Sequence, residues 1–188
     1  MLAIGADGFT AHANGNFKIE DYLKEIKTPT TTRVFAIAEA LKKGVSIEKI
    51  HQLSGIDLWF LAKMRNLIAL ERKLKRGTLT KPALIQAKRA GFSDKQLATI
   101  TKSKEATVRA KRLRLGVRPV VKQIDTLAGE FPAQTNYLYL TYHGSENDVE
   151  PSKKSIMVLG SGPYCIGSSV EFDWSSVEAL KTLRAEGR

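Results

Sequence analysis

Two stretches decide the fold. One is Gly44-Val45-Ser46-Ile47-Glu48-Lys49-Ile50-His51-Gln52-Leu53-Ser54-Gly55; the other is Gly91-Phe92-Ser93-Asp94-Lys95-Gln96-Leu97-Ala98-Thr99-Ile100-Thr101. At an offset of 47 positions Gly44 falls on Gly91, Ser46 on Ser93, Ile50 on Leu97, Leu53 on Ile100 and Ser54 on Thr101. Upstream, Ile37 and Ala40 align with Leu84 and Ala87; downstream, Leu61 aligns with Val108. Each unit reads as a helix, a glycine stop, a short helix and a longer helix. Ser93 and Gln96 have the spacing of a capping box, which marks the second short helix. Two copies are fewer than the three or more a solenoid needs. The expectation is a compact, mainly α domain with pseudo-repeated helix units.

Working outward, Ile19–Lys27 has short helical patterning, ended at Thr28-Pro29 because a residue before proline is driven out of the α region. Thr30 or Thr31 is the expected cap of a helix over 33–43, with Gly44 at its end. Asp57 caps a long helix running to about Leu74. There Phe60, Leu61, Met64, Leu67 and Ile68 form the stripe of a buried face, and Gly77 closes it. After Gly116 the texture changes. Pro119 and Pro132 flank a stretch without clear period, Asn136–Tyr142 alternates like a strand, and His143 to Lys154 is a polar linker. Ser155–Leu159 reads as a short apolar strand, followed by a glycine turn and a helix from about Ser168 to Glu186. A lone apolar strand and helix is half of a βαβ unit, and such strands are buried only between neighbours. The end of the chain therefore reads as an incomplete α/β (single strand-helix) segment, a piece of something longer.

The 188 residues are 43% hydrophobic and 26% charged, ordinary for a globular protein, which excludes wholesale disorder. No stretch reaches the roughly 18–20 apolar residues of a membrane span, and the first residues lack the basic and apolar regions of a secretory signal. The single cysteine, Cys165, excludes an internal disulfide and points to a reducing, intracellular setting. Charge is uneven. From Arg72 to Lys122 there are 16 basic residues against two acidic ones, Asp94 and Glu105. Such a segment suits a nucleic acid, an acidic protein surface, or plain solvation beside an acidic neighbour.

Candidate chemistry is sparse. The turn with Gly160, Gly162 and Gly167 lies between strand and helix, where phosphates are cradled. Its spacing departs from G-x-G-x-x-G, whose third glycine would fall at Cys165, and no Lys-Ser/Thr pair follows as in a P-loop. It is read as a structural turn, with direct phosphate contact the alternative. Phe92–Leu115 has helix–turn–helix form with Lys102, Lys104, Arg109, Lys111, Arg112 and Arg114 on its second helix, as a DNA reader requires. The same topology at Ser46–Leu74 carries an apolar second helix, which favours a packing unit used twice. His12, His51 and His143 have no partner at a catalytic or metal-binding spacing and are read as bystanders. Trp59 and Trp174 are assigned to the core, and Cys165 to the turn rather than to a reactive thiol. No metal site is expected.

Several stretches together resemble a known family. Asp57-Leu58-Trp59-Phe60-Leu61, Gly91-Phe92-Ser93-Asp94, Val121-Lys122-Gln123-Ile124-Asp125-Thr126, Glu130-Phe131 and Tyr137-Leu138-Tyr139-Leu140-Thr141-Tyr142 are similar to the central region of the carbamoyl-phosphate synthetase large chain. Ile156 to Pro163, followed by Ile166-Gly167-Ser168-Ser169-Val170-Glu171-Phe172-Asp173-Trp174, resembles the opening of that enzyme's second synthetase half, in wording closer to its eukaryote-like branch. The resemblance implies that residues 1–16 end the first half, 17–152 form a helical oligomerisation domain, and 153–188 begin the second pre-ATP-grasp domain. It implies a ligase making carbamoyl phosphate from bicarbonate, ammonia or glutamine and two ATP, with Mg²⁺ or Mn²⁺ and K⁺, for arginine or pyrimidine synthesis. The implied partners are other large chains and a glutaminase chain or domain, with no membrane. The implied location is the cytoplasm, or the mitochondrion for a urea-cycle-type parent. The ATP and metal sites would lie outside these residues, so no catalytic residue and no cofactor is expected here. By the same resemblance Glu171 faces an internal tunnel, and Cys165 occupies a position where many members carry Arg. The alternative from another class is a helix–turn–helix nucleic-acid binder.

Overall fold

The computed structural model describes residues 7–8, 18–124, 127, 129–132, 138–150, 156–159 and 171–187. Among these the chain forms α1 (Ile19–Lys27), α2 (Arg33–Lys42), α3 (Ile47–Ser54), α4 (Leu58–Arg76), α5 (Lys81–Arg89), α6 (Asp94–Ile100), α7 (Glu105–Arg114), β1 (Val120–Gln123), β2 (Leu138–Thr141) and α8 (Glu171–Ala185).

Local chemistry sets the helix boundaries. The Ser46 hydroxyl accepts the Lys49 N–H at 3.2 Å and the Ser93 hydroxyl accepts that of Gln96 at 2.9 Å, each satisfying a donor the helix itself leaves free. Thr80 caps α5, with Pro82 in its first turn, and Asp57 caps α4 through the Trp59 N–H at 2.7 Å. The cap of α2 is Thr32, one or two residues later than the sequence suggested. The repeat recurs in backbone detail. After α2 the Gly44 N–H bonds Leu41 O at 3.1 Å and the Val45 N–H bonds Ala40 O at 3.0 Å; after α5 Gly91 bonds Lys88 O and Phe92 bonds Ala87 O at the same two distances. This paired closure requires a left-handed residue, and both glycines sit at φ +89°.

Two apolar cores lie along α4. The first joins Tyr22 and Ile26 of α1 to Ile37, Ala40, Ile50, Leu61 and Ile68. The second joins Leu74, Leu84, Ala87, Phe92, Leu97, Val108 and Val117. The aligned pairs Ile37/Leu84, Ala40/Ala87, Ile50/Leu97 and Leu61/Val108 are all buried, so the pseudo-repeat is a repeat of core positions. At the seam between the units α4 touches α6. A cavity of about 130 Å³ there is lined by Leu67, Ile68, Phe92 and Gln96 and by the buried Gly8, whose neighbour Asp7 pairs with Lys95 at 2.6 Å.

Four expectations need correction. Phe60 is 58% exposed, because the buried stripe of α4 turns through Leu61 and Ile68, with Met64 and Leu67 only partly buried. Trp59 and Trp174 are exposed as well, not core. The aperiodic stretch after Pro119 contains β1, which pairs antiparallel with β2, Val120 opposite Thr141 and Gln123 opposite Leu138. Its signal was weak because neither face of a four-residue ribbon is fully covered. Finally, Ile156–Leu159 is not a strand: no neighbour among the described residues supplies a ladder, and Met157 and Leu159 stand 83% and 84% exposed. The helix that follows is α8, shorter within the described residues than the 168–186 span expected.

Candidate functional site

The second unit holds a buried ionic cluster. Arg112 Nε donates to both carboxylate oxygens of Asp94 at 3.0 Å and Nη2 to Oδ2 at 2.8 Å, while Nη1 donates to the Val117 carbonyl at 2.9 Å. Lys88 Nζ lies 3.2 Å from Asp94 Oδ1 and donates to the Phe92 carbonyl at 2.8 Å. The Tyr142 ring covers both cations, its centroid 5.2 Å from Lys88 Nζ and 5.8 Å from Arg112 Cζ. Arg89 Nε donates to the Tyr142 carbonyl at 3.0 Å, and His143 Nε2 lies 3.0 Å from the Arg89 carbonyl oxygen. The end of the β1–β2 hairpin is thus clasped onto α5. Lys122 and Asp148 pair beside it, and Asp148 also accepts the Gln123 N–H at 2.9 Å.

Burial alone raises the Asp94 pKa; the Arg112 hydrogen bonds and the Lys88 charge outweigh it and hold the carboxyl below its ordinary value. The same hydrogen bonds raise Arg112, and burial raises the Tyr142 phenol. Asp94, Arg112 and Lys88 are each engaged by another group of the cluster, so the arrangement holds the second unit and the hairpin together. Sequence reasoning missed it, although the repeat contains its signal. Lys88 and Asp94 align with Leu41 and Ile47, both buried, so charged residues there had to be paired.

Two surfaces face outward at equivalent places in the two units. At the start of α4, Trp59 and Phe60 stand 60% and 58% exposed, packed edge to face at 5.0 Å and 89°, with Lys63 Nζ 4.9 Å over the Trp59 ring. On α7 the matching face is small: Ala106, Thr107 and Ala110 are exposed, with Lys111 and Arg114 beside them. Of the basic residues proposed for a DNA-reading helix, Lys102, Lys104, Arg109 and Arg114 are exposed and Lys111 partly so. Arg112 is buried in the ion cluster and unable to reach a base.

His51 Nδ1 lies 2.7 Å from the Ile56 carbonyl oxygen in its own loop, whereas His143 joins the hairpin to α5. His12, Gly160, Gly162, Cys165 and Gly167 lie outside the described residues, and Glu171 is the first residue of α8. Among the described residues no group of three or more His, Cys, Asp or Glu is arranged to hold a metal ion, and no helix is long and apolar enough to cross a membrane.

Residues 1–116 match the family model described as carbamoyl-phosphate synthetase large chain, oligomerisation domain. Residues 152–188 match that of the carbamoyl phosphate synthase preATP-grasp domain. Over its whole length the chain is 47% identical to the mitochondrial carbamoyl-phosphate synthase [ammonia] of Rattus norvegicus, covering 13% of that protein. Over 87% of its length it is 51% identical to the multifunctional protein pyrABCN of Emericella nidulans and 48% identical to the multifunctional protein CAD of Squalus acanthias, covering 7% and 8% of them. It therefore spans only a small part of these relatives. With the oligomerisation-domain match over more than half of it, the preATP-grasp match after that, and relatives this similar along its whole length, the chain belongs to the carbamoyl-phosphate synthetase large-chain family.

Proposed function

We propose that this chain is the non-catalytic scaffold and self-association region that links the two synthetase halves of a carbamoyl-phosphate synthetase large chain. The observation that carries the reading is order: an oligomerisation-domain match over 1–116 precedes a preATP-grasp match over 152–188. On this reading residues 1–16 end the first half, 17–152 form the helical domain and 153–188 begin the second pre-ATP-grasp domain. The outward Trp174, Val177 and Leu180 of α8 support the last assignment, since an amphipathic helix with that face uncovered fits one that packs on a sheet. The parent enzyme makes carbamoyl phosphate from bicarbonate, ammonia or glutamine nitrogen and two ATP, using Mg²⁺ or Mn²⁺ and K⁺ bound elsewhere in its chain. Its partners are further large chains and a glutaminase. It serves arginine or pyrimidine synthesis, in the mitochondrion or the cytoplasm. Within this chain Glu171 is the tunnel-facing carboxylate, Cys165 takes a family Arg position, and Gly160, Gly162 and Gly167 shape the turn before it.

The test replaces the matching segment of the rat relative's enzyme with residues 1–188. Bicarbonate-dependent ATP hydrolysis and overall synthesis should both persist, and Cys165→Arg should be tolerated. Glu171→Ala should slow overall synthesis while sparing the partial ATP reaction; equal loss in both assays makes Glu171 structural. Stoichiometric micromolar ATP binding by the 188-residue chain, measured by calorimetry, would overturn the scaffold reading.

A further inference from the structure

Three consecutive residues hold both ends of the helical region. Asp94, Lys95 and Gln96 make up the first turn of α6, and the Ser93 hydroxyl closes that turn on the Gln96 N–H. Asp94 serves the hairpin: its carboxylate binds Arg112 and Lys88, the two cations beneath the Tyr142 ring. Lys95 and Gln96 serve the chain ahead of the units. Lys95 Nζ pairs with Asp7 at 2.6 Å. The buried Gln96 side chain lies so close to Gly8 that a Cβ on Gly8 would collide with its carboxamide. Gly8 itself sits at φ +78°, a conformation that glycine adopts without strain. The matching turn of unit one has no such role: Ile47 is buried in its own core, and Glu48 and Lys49 are exposed.

We propose that the first turn of α6 is a mechanical relay, in which the seating of Asp7-Gly8 and the clasp of Tyr142 stabilise each other. Helix α6 has only seven residues. A helix that short has little stability of its own, so its order comes from what grips it. One grip comes from residues ahead of the helical units, the other from the hairpin behind them. Two contacts that stabilise the same ordered turn are linked, and loosening either lowers what the other gains. The packing leaves the turn room to give. Beside Gly8 and Gln96 lies the seam cavity of about 130 Å³, walled by Leu67 and Ile68 of α4, where a close-packed interior would hold the turn rigid. The inference rests on the scaffold reading above for what the relay connects: residues 1–16 end the first synthetase half, and the hairpin leads into the second. A displacement at the end of one half then reaches the other through one turn of helix.

The experiment is a double-mutant cycle in the 188-residue chain, read by urea unfolding. Gly8→Val unseats the N-terminal contact, and Tyr142→Ala uncovers the cations. Independent sites give additive costs. The relay predicts a double variant more stable than the summed single costs require, by at least about fivefold in the unfolding constant, within the usual range of coupling between sites. Asp7→Lys takes the place of Gly8→Val if the valine variant fails to fold, and should couple with the same sign. Gly44→Ala lies outside the relay, so its cost should add to that of Gly8→Val. Ser93→Ala removes the cap of the turn, and in that background the coupling between positions 8 and 142 should shrink. Coupling that persists undiminished there travels by another route and overturns the relay. Additive costs at positions 8 and 142, or a Gly8→Val change that costs nothing, also overturn it. Each of these leaves the scaffold reading standing, which ATP binding and the segment replacement in the rat relative's enzyme decide separately.

Discussion

The two helical units share a backbone and differ in what fills one corner of it. In unit one that corner is apolar: Leu41 and Ile47 are buried, and Arg65, aligned with Arg112, is exposed. In unit two the same three positions are Lys88, Asp94 and Arg112, all paired, with Asp94 and Arg112 buried and Lys88 partly so. Each unit is also closed by a different neighbour. Helix α1 lays Tyr22 and Ile26 against unit one, whereas the hairpin brings Tyr142 over the cations of unit two. An apolar corner accepts any apolar partner of suitable shape. A charged corner needs a specific acceptor geometry and a π-face above it, which ties unit two to the hairpin and, through it, to whatever follows. The comparison suggests a physical reason for repeating a unit and then altering one corner: equal packing with unequal connectivity.

The largest way to break the comparison is Asp94→Ala. It leaves the buried Arg112 and the partly buried Lys88 without their counter-charge and should cost about 3–5 kcal/mol in urea unfolding. The effect has a definite pH sign. The Asp94 carboxyl is held below its ordinary value, so its contribution is complete above the unfolded-state pKa of about 3.9. It is lost as pH falls through the lower folded value. The difference in stability between wild type and Asp94→Asn should therefore shrink on acidification below about pH 4 and stay flat above pH 5. Asp148, also lowered through its hydrogen bonds to Lys122 and the Gln123 N–H, is common to both proteins and cancels from that difference.

A smaller effect of opposite sign comes from giving unit two an apolar corner, with the leucine and isoleucine of unit one and a methionine in place of Arg112. Lys88→Leu, Asp94→Ile and Arg112→Met together should leave the protein unchanged or up to about 1–4 kcal/mol more stable, because a well-packed apolar set commonly equals or exceeds a buried ion cluster. The hairpin should loosen in exchange, seen as faster amide exchange at Tyr142 and His143. A large loss of stability in the triple variant would mean that the two corners are not interchangeable.

The smallest effect sharpens what the units share. Gly44→Ala and Gly91→Ala each place a side chain at φ +89° with nothing within 4 Å of the new Cβ. Each should cost about 1–2 kcal/mol of left-handed strain, and the two should match by thermal melting. Unequal costs would show that the glycine stops are not equivalent.

Much of this was present in the order of residues. The caps Ser46, Asp57 and Ser93, the stop at Gly44 and its echo at Gly91, and the bounds of α1 follow from rules acting over three or four residues. Those rules act within one turn of chain and need no partner. The repeat, and with it the burial of Ile37, Ile50, Leu61 and their counterparts, followed from periodicity for the same reason. Tertiary structure decided the rest. Asp94 and Arg112 lie 18 residues apart, and Tyr142 lies further still from both, so no local rule could join them. Strand β1 exists only because β2 pairs with it, while Ile156–Leu159, more apolar in sequence, finds no ladder partner among the described residues. Phe60 and Trp59 have the hydrophobicity of core residues but sit off the narrow face that α4 presents to its two cores. Hydrophobicity and capping are properties of residues; burial and charge pairing are properties of what the fold brings beside them.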